Sequence, residues 1–564
     1  MSEETQFDAI VIGSGITGGW AAKELTEKGL KVLMLERGRM VEHGRDYTGE
    51  HKASWQLPYQ GRPLRELYER DYIVQSKNYA FEEGTRHFYN NDRLNPYIHD
   101  PTQFNWLRTD VVGGKSLLWA RQTYRWSDLD FEANIKDGHG IDWPIRYRDI
   151  SPWYDHVESF IGVSGQAENL PQLPDGQFLP PMKLNIVERH LREQIADNFP
   201  GRVLTIGRTA TLTVPHNGRG ACHYCGPCQR GCSVGASFST QSSTLPAARS
   251  TGNLTLIADS VVEGIDYDPA TERASGVRVI DTNTLETTRY TGKLIFVCAG
   301  TIASTQILLN SRSETFPDGL ANSSGVLGHY LMDHTLAAGA TGIFENFEDK
   351  VEFGRRPNGI YMPRFRNLDG QDDDIEFIRG YGYQGEARRM GWAEVSARTP
   401  GFGADFKQAL RKPGPWIMNL IGFGECLPYR DNYMELDARE TDRFGIPLVR
   451  FHFTFRENEN NMREDMMAQA QAMLQRSGAV STSTYNNNSV GGDGIHEMGS
   501  ARMGNNPQES VLNSWCQSHD VPNLFIPDGS CMTSTSCVNP SLTYMALTAR
   551  AVDNAVTQLR AGNI

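Results

Sequence analysis

The sequence predicts an α/β protein, a parallel-sheet unit at the N-terminus joined by a second unit of sheet and flanking helices. Three observations predict it. The chain opens on a strand-length apolar run, residues 7–12, then a glycine turn, a helix-forming stretch at 20–25 and a second strand at 31–35. Strand-like runs at 254–257, 277–280 and 294–298, broken by Asp, Asn, Thr and Gly, fit strands added to the same sheet. The last stretch, after 539–544, is rich in Ala and Leu and reads as a helix. At 564 residues the chain exceeds what one hydrophobic core serves, so two interleaved or tandem units are expected.

Composition narrows the function. With 39% hydrophobic and 22% charged residues the chain reads as globular, neither disordered nor membrane-embedded. A net charge of −13 argues against nucleic-acid binding, which needs clustered Lys and Arg to displace counterions. A neutral or cationic small-molecule partner is expected instead. No apolar stretch approaches the roughly 18 residues that span a bilayer. The opening Met1-Ser2-Glu3-Glu4-Thr5-Gln6 has neither a basic n-region nor a twin-arginine pair, so a cytoplasmic chain without an export signal is expected.

The first turn is Gly13-Ser14-Gly15-Ile16-Thr17-Gly18, and Glu36 ends the second strand. A lone G-x-G-x-x-G is common by chance. This one follows a strand, opens a helix and has an acid about 20 residues on, which makes it a dinucleotide-binding turn. Bare backbone at Gly13 and Gly15 can approach a pyrophosphate, whose charge meets the free N–H groups of the helix start, and Glu36 can bond both ribose hydroxyls. FAD and NAD share that ADP half, so the motif alone does not separate them.

Residues 41–104 are polar and aromatic without periodicity, as in an insertion or lid. Residues 170–182 are Pro-rich and read as a connector. The stretch 331–489 is assigned to a substrate-binding unit of sheet and flanking helices, with an amphipathic helix at 460–477 packed on the sheet. The division is then 1–330 for the nucleotide-binding domain, including the 41–104 insertion and a cysteine loop at 216–235, 331–489 for the substrate domain, and 490–564 for the return to the first.

Four further segments carry a resemblance: Val112-Gly113-Gly114-Lys115-Ser116-Leu117-Leu118-Trp119; Cys298-Ala299-Gly300 with the helix-forming run after it; His496-Glu497-Met498-Gly499-Ser500-Ala501-Arg502-Met503-Gly504; and Asn523 to Ser530 followed by Asn539-Pro540-Ser541. Over nearly its whole length the sequence resembles the glucose–methanol–choline (GMC) oxidoreductases. The resemblance implies a Rossmann-like FAD-binding domain interleaved with an α+β substrate-binding domain, a fold shared with p-hydroxybenzoate hydroxylase. It implies flavin contacts at Gly113, Gly114 and Ser116, adenine-side contacts at Ala299 and Val261, ribityl-phosphate contacts at Asp528 and Gly529, and a helix start at Asn539 and Pro540 near the flavin pyrimidine. Thr17 and Gly18 complete the cofactor set. For Val261 an ordinary core valine stays open, and for Asn539 a helix cap. Trp119 stands where many relatives carry Asn, and the segment has no His for covalent flavin attachment.

The chemistry implied is removal of hydride from a carbinol carbon while a base takes the hydroxyl proton. An imidazole suits that base. His496 is the expected base and Asn539 its partner on the substrate oxygen. Tyr361 and Trp392 are weaker substrate-contact candidates, better explained as core or surface residues.

Four of the nine cysteines, Cys222, Cys225, Cys228 and Cys232, have the spacing C-x2-C-x2-C-x3-C of bacterial ferredoxins. An iron–sulfur cluster of three or four irons is expected, with Cys232 the least secure ligand; zinc, or free or disulfide-bonded cysteines, are the alternatives. The other five read as buried thiols. Such loops resemble those of bacterial sugar dehydrogenases, and the run 114–128 resembles the glucoside 3-dehydrogenase branch. This implies a sugar or glycoside oxidised at a ring hydroxyl, with C3 a candidate, electrons leaving through the cluster to a cytochrome or other acceptor, and a small accessory subunit whose export signal could carry the chain to the periplasm. A flavin oxidase using oxygen, and a flavin protein without redox turnover, are the competing classes.

Overall fold

The computed structural model describes residues 6–564 except 346 and 353, so the leading residues 1–5, on which the export-signal expectation partly rests, lie outside it. The predicted β-α-β unit is present as strand Gln6–Ile12, helix Ile16–Glu27 and strand Val32–Leu35. Its strands are near-continuous apolar runs because both faces are covered, as in parallel sheets generally. They sit in a seven-stranded sheet ordered Leu254–Ile257, Val32–Leu35, Gln6–Ile12, Thr287–Val297, Arg273–Asp281, Ser260–Asp268, with Leu524–Phe525 also paired to Thr287–Val297. The first four run parallel, and Arg273–Asp281 pairs antiparallel with both Thr287–Val297 and Ser260–Asp268. Helix Ser541–Arg560 packs on helix Ile16–Glu27, closing the sheet with the end of the chain.

A second sheet is antiparallel and six-stranded, ordered Ser481–Asn486, Thr335–Phe344, Trp416–Gly424, Tyr381–Arg389, Ile360–Met362, Thr205–Ile206. Its edge strand Thr205–Ile206 comes from well before residue 331. Helix Glu457–Arg476 lies on one face and starts three residues earlier than the periodicity predicts, because Glu459 reaches back to accept from Arg456 N (2.8 Å). Met462, Met466, Ala470 and Met473 form its buried stripe. The strand beneath carries Gly422 and Gly424, where a Cβ would stand 2.4 Å from the Met466 and Met462 sulfurs, so only glycine lets helix and sheet come this close. The opposite face of this sheet looks toward the parallel-sheet unit, and the site lies between them.

Candidate active site

One elongated cavity runs from Glu36 at the end of strand Val32–Leu35, past Gly13, Ser14, Gly15 and Thr17, to His496 and Asn539 beneath the second sheet. The three motif glycines answer to three different constraints. Gly13 has φ +96° and a Cβ there would lie 2.5 Å from the Cys298 carbonyl oxygen; at Gly18 it would lie 2.0 Å from the Gly13 carbonyl oxygen; at Gly15 it would meet nothing within 4 Å. Gly13 and Gly18 therefore serve the close packing of turn, helix and neighbouring strand, and Gly15 bares backbone to the cavity. Helix Ile16–Glu27 has no acidic residue in its first turn, which suits an anion at its start.

Glu36 is buried and already holds three protein donors: Ser14 N (3.0 Å) and Oγ (2.5 Å), and Gly38 N (2.8 Å). Burial pushes its carboxyl up to about 7 despite those bonds. Gly114, Ser116, Val261, Ala299, Asp528 and Gly529 also line the cavity, whereas Gly18, Gly113 and Pro540 do not. Gly113 supplies the left-handed turn (φ +103°) that starts the segment, and its N–H donates to Ser14 Oγ (2.9 Å), tying the segment to the first glycine turn. Asp528 accepts from Gly300 N (2.9 Å), Ser304 Oγ (2.5 Å), and Ser530 N (3.0 Å) and Oγ (2.5 Å), so it locks the start of helix Thr301–Asn310 to the Gly529 turn.

At the far end, His496 Nε2 is 3.4 Å from Asn539 Nδ2, and Asn539 Oδ1 accepts from Gln384 Nε2 (2.6 Å). Asn539 precedes the helix Ser541–Arg560, whose N-cap position is Pro540 without a side-chain cap, so Asn539 is not acting as that cap. His496 Nδ1 lies 3.0 Å from His334 Nδ1. The Asp333 carboxyl group accepts the backbone N–H groups of His334 (2.8 Å), His496 (3.0 Å) and Gly494 (2.9 Å). Burial, then His334 and Lys115, hold the His496 imidazole well below its ordinary value and hence neutral. Lys115 and Glu497 pair at 2.8 Å on the cavity wall, and Leu336 and Phe423 add apolar surface from the second sheet.

Family profiles of the GMC oxidoreductases match residues 7–336 and 428–548. The chain belongs to the GMC oxidoreductase family. Among its relatives are the 2-methyl-1,2-propanediol dehydrogenase of Mycolicibacterium austroafricanum, 32% identical over 97% of this chain and 95% of that one, and the fructose dehydrogenase large subunit of Gluconobacter japonicus, 25% identical over the full length of both. Pyridoxine 4-oxidase from Mesorbium loti shares the fold, with a TM-score of 0.60 at 15% identity over 98% of this chain and 99% of that one. As a GMC oxidoreductase the chain is an FAD-dependent enzyme acting on CH–OH donors. The cavity fits that cofactor, with open space at Gly15, an uncapped anion-receptive helix start, and a continuous channel to the histidine.

In this GMC oxidoreductase three residues that sequence reasoning passed over, Asp333, His334 and Gln384, lie against the His496–Asn539 pair. Gln384 had a readable signal, since in strand Tyr381–Arg389 it alternates with the core-facing Tyr381 and Tyr383. Tyr361 is core, stacked on Tyr124 at 4.0 Å between ring centres, and Trp392 is 70% exposed on a short helix; neither lines the cavity.

The cysteine loop folds around a short turn at Cys228–Arg230, with Arg230 paired to Glu82 of the 41–104 segment. Cys225 is exposed and the other three are half-buried, and none of the nine cysteines is in a disulfide. The five scattered cysteines are all buried. Among the described residues no group of three or more His, Cys, Asp or Glu side chains converges as a metal-ligand set, these four thiols included. Arg121, near Cys228 and Cys232, is buried and donates to the carbonyls of Leu117 (2.9 Å) and Trp119 (2.6 Å). No helix among the described residues is long and apolar enough to cross a membrane.

Proposed function

We propose that the enzyme is a dehydrogenase that oxidises a ring hydroxyl of a sugar or glycoside, C3 being the candidate position, with His496 as the base and Asn539 as the group that holds the substrate oxygen. The observation that carries the assignment of roles is the His496–Asn539 pair at 3.4 Å on the cavity wall, backed by Gln384. FAD bound in the cavity supplies the two-electron acceptor for the carbinol hydride. A neutral imidazole in a buried pocket can take the hydroxyl proton without first losing one of its own. The Asn539 amide can donate to the alcohol oxygen while Gln384 holds its other end. Leu336 and Phe423 exclude water on the sheet side.

The FAD-holding part comprises 1–330 and 490–564 in this reading, and the substrate part 331–489. Sugar chemistry is supported by the full-length likeness to a fructose dehydrogenase large subunit and to the gluconate 2-dehydrogenase flavoprotein of Pantoea cypripedii, 23% identical. A large subunit implies companions, so a small accessory subunit and a cytochrome acceptor belong to the proposal, as does a place in the cytoplasm or, with a signal-bearing partner, in the periplasm. Cys222, Cys225, Cys228 and Cys232 would be the residues to hold an iron–sulfur cluster, which would supply a one-electron carrier there, and to do so the four thiols would have to draw closer than the fold sets them. Their ferredoxin spacing, unpaired thiols and the exposure of Cys225 support it.

Anaerobic mixing of the holoenzyme with glucose, fructose, methyl β-D-glucoside and 2-methyl-1,2-propanediol, followed by product NMR, tests the substrate. Bleaching of the flavin by a glycoside with a 3-keto product is expected; bleaching by the diol alone overturns the sugar assignment, and fast peroxide formation in air identifies an oxidase. Iron and sulfide analysis with low-temperature EPR tests the cluster, and zinc without iron removes it.

A further inference from the structure

We propose that His334 is a positioning residue that fixes the tautomer of His496, so that His496 Nε2, the nitrogen turned toward Asn539, carries the lone pair that accepts the alcohol proton. The inference rests on the reading of His496 as base and follows from which atoms around the two rings are able only to accept.

His334 is fully buried, and its Nε2 is 3.2 Å from the carbonyl oxygen of Thr535. A carbonyl only accepts, so this nitrogen carries the hydrogen. Burial holds His334 neutral, down to about 4, which leaves it a single N–H and a bare Nδ1. That bare nitrogen faces His496 Nδ1 at 3.0 Å and can only accept, so His496 must donate from Nδ1. His496 is neutral as well, and its one hydrogen is then spent. Nε2 is left with its lone pair toward the Asn539 amide group at 3.4 Å, and that amide is oriented from behind by Gln384.

The opposite assignment fails at two places. It sets a lone pair of His334 against the Thr535 carbonyl, and it puts an N–H of His496 against the N–H group of Asn539. The frame that enforces the first arrangement is rigid. Thr535 is pinned through Oγ1 to both the N–H (3.1 Å) and the carbonyl (3.2 Å) of Cys426, and both histidine backbones hang from one oxygen of Asp333. Besides the Asp333 carboxyl, the ionisable groups near His496 are Lys115 and Glu497, paired with each other on the cavity side. Which ring nitrogen is protonated is set by the bond its partner makes, and here the partner is a second histidine whose own tautomer is set by the backbone.

Two variants and one spectroscopic measurement test this on the holoenzyme. Flavin reduction is followed anaerobically with glucose, fructose, methyl β-D-glucoside and 2-methyl-1,2-propanediol. His334→Ala is expected to keep its FAD but lower the limiting reduction rate by about 100-fold or more, the scale of a lost general base. Its rate should climb with pH without the plateau of the parent enzyme, because a free base no longer takes the proton. His334→Asn offers Oδ1 where Nδ1 stood and should recover about tenfold of the loss or more, with the plateau restored. Nitrogen-15 magic-angle-spinning spectra of histidine-labelled holoenzyme, assigned by difference against His496→Gln, should show His496 protonated at Nδ1 and bare at Nε2.

An N–H at Nε2 in the parent enzyme overturns the proposal, as does His334→Ala reducing within about threefold of it, or His334→Asn being as slow as His334→Ala with an unchanged pH profile. If no probe bleaches the flavin, the sugar reading falls while the nitrogen spectrum still reads the tautomer.

Discussion

Replacing Asp333 by asparagine probes how the base is hung in its site. The carboxyl group accepts three backbone N–H groups, those of His334 and His496 on one oxygen and that of Gly494 on the other. Asparagine has one acceptor oxygen, and its cheaper orientation keeps the two histidine bonds and turns an NH2 toward the Gly494 N–H. One hydrogen bond is lost and one buried donor is orphaned, which together cost about 2–3 kcal/mol. There is no slack to absorb the change, since a Cβ at Gly494 would stand 2.4 Å from Asp333 Oδ1. Urea unfolding of the holoenzyme reads the cost, and anaerobic flavin reduction reads the displacement of His496, for which a shift near 1 Å can cost about 100-fold. Burial, with the Glu497 carboxylate nearby, pushes the Asp333 carboxyl from its ordinary 3.8 up to about 8. The native protein thus keeps a proton that the unfolded chain sheds from about pH 4 upward, and the stability this gives is complete in acid and drains away as pH rises toward 8. Asparagine cannot titrate, so its cost relative to the parent is largest in acid and shrinks toward pH 8. A variant within about 0.5 kcal/mol of the parent at every pH would refute the reasoning.

Two further outcomes follow from the cavity wall. Gly18→Ala sets a methyl 2.0 Å from the Gly13 carbonyl and should abolish folded, FAD-loaded protein, whereas Gly15→Ala points into open space and should leave the fold intact while weakening FAD binding by about tenfold or more, near 1.4 kcal/mol. Melting curves and FAD titration separate the two, and equal behaviour would contradict the assignment of glycine roles. Lys115→Met removes a cation that holds His496 low, so the base becomes easier to protonate and the acid limb of flavin reduction moves to higher pH; an unmoved limb in stopped-flow profiles would count against the electrostatic reading.

Much of the FAD-holding half was legible because its determinants are local. Residues 7–36 carry strand, turn, helix, strand and acid in one run, and each glycine of the turn has its own reason in the packing. His496 and Asn539, 43 positions apart, could be paired only through the family resemblance, and the structure sets them 3.4 Å apart. The second sheet was harder. Its central pairing joins Thr335–Phe344 to Trp416–Gly424 with Tyr381–Arg389 beyond, an order that no local pattern dictates, so alternation sets Gln384 on the face opposite Tyr381 and Tyr383 but does not say what that face meets.

The deepest loss of legibility concerns protons rather than positions. A sequence can nominate an imidazole as a base, but an imidazole is a base only on the nitrogen that lacks the hydrogen. In this protein that choice is made by the carbonyl of Thr535, passed on by His334 and read out at His496, three residues from three separate segments, joined by bonds of 3.2 and 3.0 Å. His334 carries no motif that marks it for the task, and its 0% exposure would class it as an ordinary core histidine. Its value to the chemistry exists only in the order in which acceptor and donor alternate, and that order is a property of the folded chain.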